Sequence, residues 1–123
     1  MHKLIFAAVG TAFLMGSSVS IAADLDKGKK VFKKCAACHS LKAGKKKVGP
    51  TLYGIIGSKA AEMKGFKYSK AMRNSGLTWD DATLDGYLAN PRKFLKGNRM
   101  SFPGLKKQAD RENVIAYIKE NAK

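Results

Sequence analysis

Two cysteines, Cys35 and Cys38, and one histidine stand together in Cys35-Ala36-Ala37-Cys38-His39. The chain holds no other cysteine, and its one other histidine is His2. This cluster constrains the fold more than any other feature. A chain of 123 residues allows one small domain, and small domains lean on a staple to supplement a modest core. A structural disulfide or a thioredoxin-like redox pair uses the same Cys-x-x-Cys spacing, but neither needs the histidine and no βαβ pattern surrounds it. A zinc site needs four ligands, and beyond the first residues no further histidine or cysteine is present to complete it. The reading that employs all three side chains is attachment of a c-type haem. Thiols at this spacing reach the two vinyl groups of one porphyrin as thioethers. The adjacent imidazole then lies beneath the ring, with Nε2 available to iron.

The segment before this cluster has its own character. Residues 1–23 open with Met-His-Lys, run through the apolar stretch Leu4–Met15 and end in small residues, among them Ser17, Ser18, Ser20, Ala22 and Ala23. A basic tip, a short apolar run and a small-residue end describe a secretory signal peptide. The run is shorter than the roughly 20 residues of a membrane-spanning helix. Cleavage is expected at Ala22–Ala23, through Ser20 and Ala22, or at Ala23–Asp24. Residues 24–123 then form a single domain, exported to the periplasm of a Gram-negative bacterium. Export places the thiols in an oxidising compartment.

Beyond the leader the periodicity is helical and interrupted by long loops. Asp24–Lys34 reads as a helix, with Gly28, Val31, Phe32 and Cys35 on one face. Ser69–Ser75 reads as a short helix capped by Ser69 and stopped by Gly76. Thr78–Ala89 is expected to start at a Thr78 cap, carry Asp80 and Asp81 in its first turn and end at Asn90-Pro91. Pro91–Lys96 offers another short turn of helix. Asp110–Ala122 closes the chain, with Val114, Tyr117, Ile118 and Asn121 at helical spacing. Gly44, Gly49, Gly54, Gly57 and Gly65 mark turns in the loop between the first two helices. No alternating strand pattern occurs, so the fold class is all-α. Short helices and much loop bury little apolar surface against the entropy of ordering them. A non-protein group is therefore expected in the middle.

One histidine leaves a haem iron one ligand short. With no second imidazole in residues 24–123, the soft candidates there are Met63, Met72 and Met100. The first two lie among lysines and polar residues, where core packing or surface placement is the plainer reading. Met100 sits in the irregular, glycine-bracketed loop Gly97–Gly104, where coordination gives a buried thioether a reason. Imidazole with thioether is an established pairing for haem iron and raises its reduction potential.

Across residues 26–122 the chain resembles the class I cytochromes c, of the short bacterial and mitochondrial-like type often called c2 or c-550. The resemblance rests on Gly28-x-x-x-Phe32, the Cys35–His39 cluster, Gly49-Pro50-x-Leu52, Gly65-Phe-x-Tyr68, Leu77-Thr-Trp79, Tyr87-Leu-x-Asn-Pro91, Met100-x-Phe-x-Gly104 and Ile115-Ala-Tyr117. It implies crossed N- and C-terminal helices, with short helices and loops wrapped around one haem anchored through Cys35 and Cys38. Gly28 and Phe32 would meet the last helix near Tyr117. His39 and Met100 would be the axial ligands, and Pro50 would offer its carbonyl to the free nitrogen of His39. Tyr68 and Trp79 would hydrogen-bond a haem propionate, and Tyr87 would lie near the Met100 sulfur. Plain core packing remains the other reading of these aromatics. The chain departs from many relatives at Ser58, where arginine is frequent, at Met72, where asparagine is, and at Lys96, where proline is.

A haem with both axial positions filled can change oxidation state but has no place for substrate. The expected function is thus soluble one-electron transfer between membrane redox complexes, without enzymatic activity. By the resemblance the donor is a cytochrome bc1-type complex. The acceptor is a terminal oxidase, a photosynthetic reaction centre or a periplasmic reductase. The alternatives are a haem protein with an open sixth site, acting on peroxide or sensing a gas, and a thiol-redox module without haem. The formal charge of +15 speaks about partners. By the resemblance, Lys34, Lys47, Arg92, Lys93, Arg99, Lys106 and Lys107 ring the exposed haem edge. Such a ring steers the protein, expected as a monomer, onto acidic docking faces. No groove-reading motif supports nucleic acid as a partner, and attraction to anionic lipid is at most peripheral.

Overall fold

The computed structural model describes residues 8–12 and 22–123. The leader reading concerns residues 1–23, of which 1–7 and 13–21 lie outside the described residues. Among the described residues the secondary structure is α1 (Leu25–Ala36), α2 (Lys70–Arg73), α3 (Asp81–Ala89), α4 (Pro91–Phe94) and α5 (Gln108–Asn121). A single isolated antiparallel bridge, Lys59 to Thr78, accompanies them. None of these helices is long and apolar enough to cross a membrane. The all-α expectation holds.

α1 starts where its first carboxylate can cap it. Asp24 Oδ1 accepts the Lys27 N–H at 3.0 Å, satisfying one of the donors that every helix start leaves over. The helix buries Gly28 and Phe32 against α5. A Cβ on Gly28 would collide with the Asn113 carbonyl oxygen and stand 2.8 Å from Tyr117 Cβ, so only glycine permits this crossing. Phe32 then packs its ring 5.5 Å from that of Tyr117. Val114, Ile115 and Ile118 complete the α5 side, and Val114 is 1 % exposed. Burying each such side chain contributes on the order of 2 kcal/mol. Leu84 and Tyr87 carry the core onto α3. The half-buried Arg111 ties α5 to α3 through Asp85 at 2.7 Å.

The start of α3 corrects an expectation. Thr78 is not its cap: Thr78 lies in the bridge with Lys59, beside Trp79 N–H to Ser58 O and Ala60 N–H to Leu77 O, both 2.8 Å. With that backbone committed to the long loop, the helix begins later, and Asp80 caps it by accepting the Thr83 N–H at 2.8 Å. Asp81 alone provides the acidic first turn. α2 is shorter than expected, although Ser69 caps it as anticipated through the Met72 N–H at 3.1 Å. α4 stops at Phe94 rather than Lys96, and α5 begins at Gln108, ahead of Asp110, with no side-chain cap.

Candidate haem-binding site

His39 is placed by the end of α1. The Cys38 and His39 N–H groups both fold back onto Cys35 O, at 3.0 and 2.9 Å, so the cysteines and the imidazole share one tight turn. Lys47 Nζ donates to Ala36 O at 2.6 Å and closes the helix terminus beneath them. Both thiols are free, Cys35 half-buried and Cys38 exposed. Burial pushes the Cys35 thiol up; the charge of Lys34 opposes this, and Cys38 adds to it.

His39 Nδ1 lies 2.7 Å from the Pro50 carbonyl oxygen. A carbonyl only accepts, so Nδ1 carries the proton and Nε2 keeps its lone pair. Burial lowers the His39 pKa, against the smaller opposite pull of the Pro50 carbonyl, which favours the neutral, ligating form. Gly44, Gly54, Gly57 and Gly65 turn the loop with positive φ, but Gly49 does a different job. A Cβ there would stand 2.6 Å from His39 Cε1, so Gly49 lets the backbone lie against the imidazole. Its N–H also donates to Cys38 O at 2.8 Å.

Met100 is held from two sides. Its sulfur lies 3.8 Å from the Tyr87 hydroxyl, the donor of that contact, and its N–H donates to Asn98 Oδ1 at 2.9 Å. Tyr87 is 5 % exposed, and burial pushes its phenol up to about 12, so it remains a donor across the ordinary pH range. Trp79 is buried with its ring 4.9 Å from that of Tyr87. Tyr68 accepts the Met63 N–H at 3.3 Å and packs edge-on to Phe66. Burial raises its pKa, and the Met63 N–H lowers it by less.

The residues at the departures also have occupations. Ser58 Oγ donates to Ile55 O at 2.8 Å. Met72 is half-buried against the core, and Lys96 is exposed. Of the proposed docking residues, Lys34, Lys47, Arg92, Lys93, Arg99, Lys106 and Lys107 are all exposed, although Lys47 also serves Ala36.

These features fit a haem. Two free thiols adjoin a neutral imidazole with one nitrogen uncommitted, a thioether is held by a phenol, and half-buried Leu52, Ile56, Leu95 and Phe102 provide apolar surface against the core. The sequence marks Gly49 only as a turn and assigns Asn98 no role; the structure adds the contact with His39 and the bond to Met100 N–H. The signal for the second was present: an asparagine two residues before a loop methionine is placed to bond the backbone ahead of it.

Helices that cross over a Cys-x-x-Cys-His turn define a small haem protein of the c type. Residues 25–122 match the Cytochrome c family model. The chain is 47 % identical over 119 residues to cytochrome c2 of Rhodomicrobium vannielii, covering 96 % of this chain and 95 % of the relative. It is 51 % identical over 100 residues to cytochrome c2 of Rhodoblastus acidophilus, covering 80 % and 94 %. Among solved structures, cytochrome cH from Methylobacterium extorquens superposes with a TM-score of 0.75 at 43 % identity, over 80 % of this chain and 99 % of that one. The chain belongs to the cytochrome c family. Its cofactor is haem c, attached through Cys35 and Cys38.

Proposed function

We propose that this protein is an exported electron carrier that moves one electron at a time between membrane redox complexes, with His39 and Met100 as the axial ligands of its haem. The observation that carries the reading is that the chain offers two soft donors, each fastened by its own partner. His39 is oriented by the Pro50 carbonyl at 2.7 Å, and Met100 by Tyr87 and Asn98. The haem supplies the reversible change of iron oxidation state. The protein keeps the ligands still and limits water. A donor held by a second partner moves little when iron charge changes, which suits electron transfer rather than turnover of a substrate.

The family of electron carriers with c-type haem fits the same role. The exposed lysines and arginines named above support docking to acidic faces of a quinol-oxidising donor and of an oxidase, reaction centre or reductase. The surface cleft between α3 and α5 is of another kind: its Asp81 and Asp85 are paired with Lys119 and Arg111, and it shares no lining residue with the haem segments.

The test is the visible spectrum of the exported protein, oxidised and reduced. A weak far-red ferric band from sulfur bound to iron is expected. Haem bands without it would show a different or open sixth position and overturn the carrier reading.

A further inference from the structure

The amide of Asn98 joins more partners than any other polar side chain of the Met100 loop. Its Nδ2 donates to Pro91 O and to Leu95 O, both at 2.8 Å. Its Oδ1 accepts the Met100 N–H at 2.9 Å, with the Tyr87 hydroxyl 3.5 Å away. Two carbonyls on one side and an N–H on the other leave one sensible orientation of the amide. The side chain thus spans from α4 to the backbone of the methionine.

We infer that Asn98 is a positioning residue: its amide fastens the Met100 loop to α4 and thereby sets how readily an outside ligand displaces the methionine. The inference rests on Met100 as a ligand. An opened loop exposes the sixth iron position, so a competing ligand binds with an apparent affinity scaled by the open fraction. Loss of the amide's hydrogen bonds raises that fraction. Replacement by aspartate keeps the shape and the acceptor for Met100 N–H, but sets an oxygen against two carbonyl oxygens. Space-filling alone would not distinguish the two residues.

The experiment titrates ferric holoprotein with imidazole and follows loss of the far-red band. Asn98→Ala and Asn98→Asp are both expected to retain haem and band, and to bind imidazole about tenfold more tightly than the unaltered protein. Ser69→Ala, which removes the α2 cap, is expected to melt earlier and yet to match the unaltered protein in imidazole affinity. Two results would overturn the inference: Asn98→Asp titrating like the unaltered protein, or Ser69→Ala gaining affinity as much as Asn98→Ala. A band missing from the unaltered protein would instead refute Met100 ligation, and this role with it.

Discussion

Gly49 and His39 touch so closely that no side chain fits between them. A Cβ on Gly49 would lie 2.6 Å from Cε1 and 2.9 Å from Nδ1 of the imidazole, the same nitrogen that donates to Pro50. Three consecutive functions therefore depend on one short stretch: the Cys38 carbonyl is bonded by Gly49 N–H, the ring is packed, and its tautomer is fixed.

Gly49→Ala is expected to push the imidazole off the Pro50 carbonyl while leaving the thioethers intact. The reduction potential should shift, and the proton resonance of Nδ1–H should move or broaden. A variant with unchanged potential and unchanged resonance would show that the contact does not orient the ligand.

Met100→Ala should keep haem attached, lose the far-red band, lower the potential and admit external ligands to the iron. An unaltered spectrum and potential would remove Met100 from the ligand set.

Gly28→Ala would set a methyl against the Asn113 backbone carbonyl, with no room between α1 and α5 to take it. Because neither helix can yield without losing the Phe32–Tyr117 contact, destabilisation of about 3 kcal/mol is expected. Denaturant unfolding of the holoprotein checks this, and a loss under 1 kcal/mol, the low end for overpacking, would mean that the crossing can slide.

Asp80 has its carboxyl held below its ordinary 3.8 by the Thr83 backbone N–H and then by the Thr83 hydroxyl, with a small opposing effect of burial. A depressed carboxylate stabilises the fold above its unfolded pKa and loses that contribution as pH falls through the folded value. Asp80→Ala should therefore melt earlier than the unaltered protein at pH 7, with the gap narrowing below 3.8. Melting curves at both pH values decide it, and a constant gap would point to a cause other than the charge.

Charge reversal at Lys93 or Arg99 should slow electron transfer with an acidic partner, and the slowing should fade as salt rises past physiological strength, where screening acts over about 8 Å. Reversal at Lys29 serves as the comparison. Equal effects at all three positions would indicate overall charge instead of a docking face.

The sequence alone determined what depends on neighbours along the chain. The attachment turn was legible because thioether chemistry needs two thiols and an imidazole within five consecutive positions. α1 and α5 were legible through their helical periods, and Ser69 as a cap through the helix it precedes. The tertiary structure decided what depends on partners far along the chain. Thr78 lost its capping role to a bridge with Lys59, and Gly49, which lies in a bend as expected, proved also to pack against His39. The local bond from Met100 N–H to Asn98 was within reach of sequence reasoning, but the amide's bonds to Pro91 and Leu95 exist only once α4 has come alongside. A local pattern records the energy of near neighbours, whereas close approach and shared hydrogen bonds exist only after the loops have closed around the core.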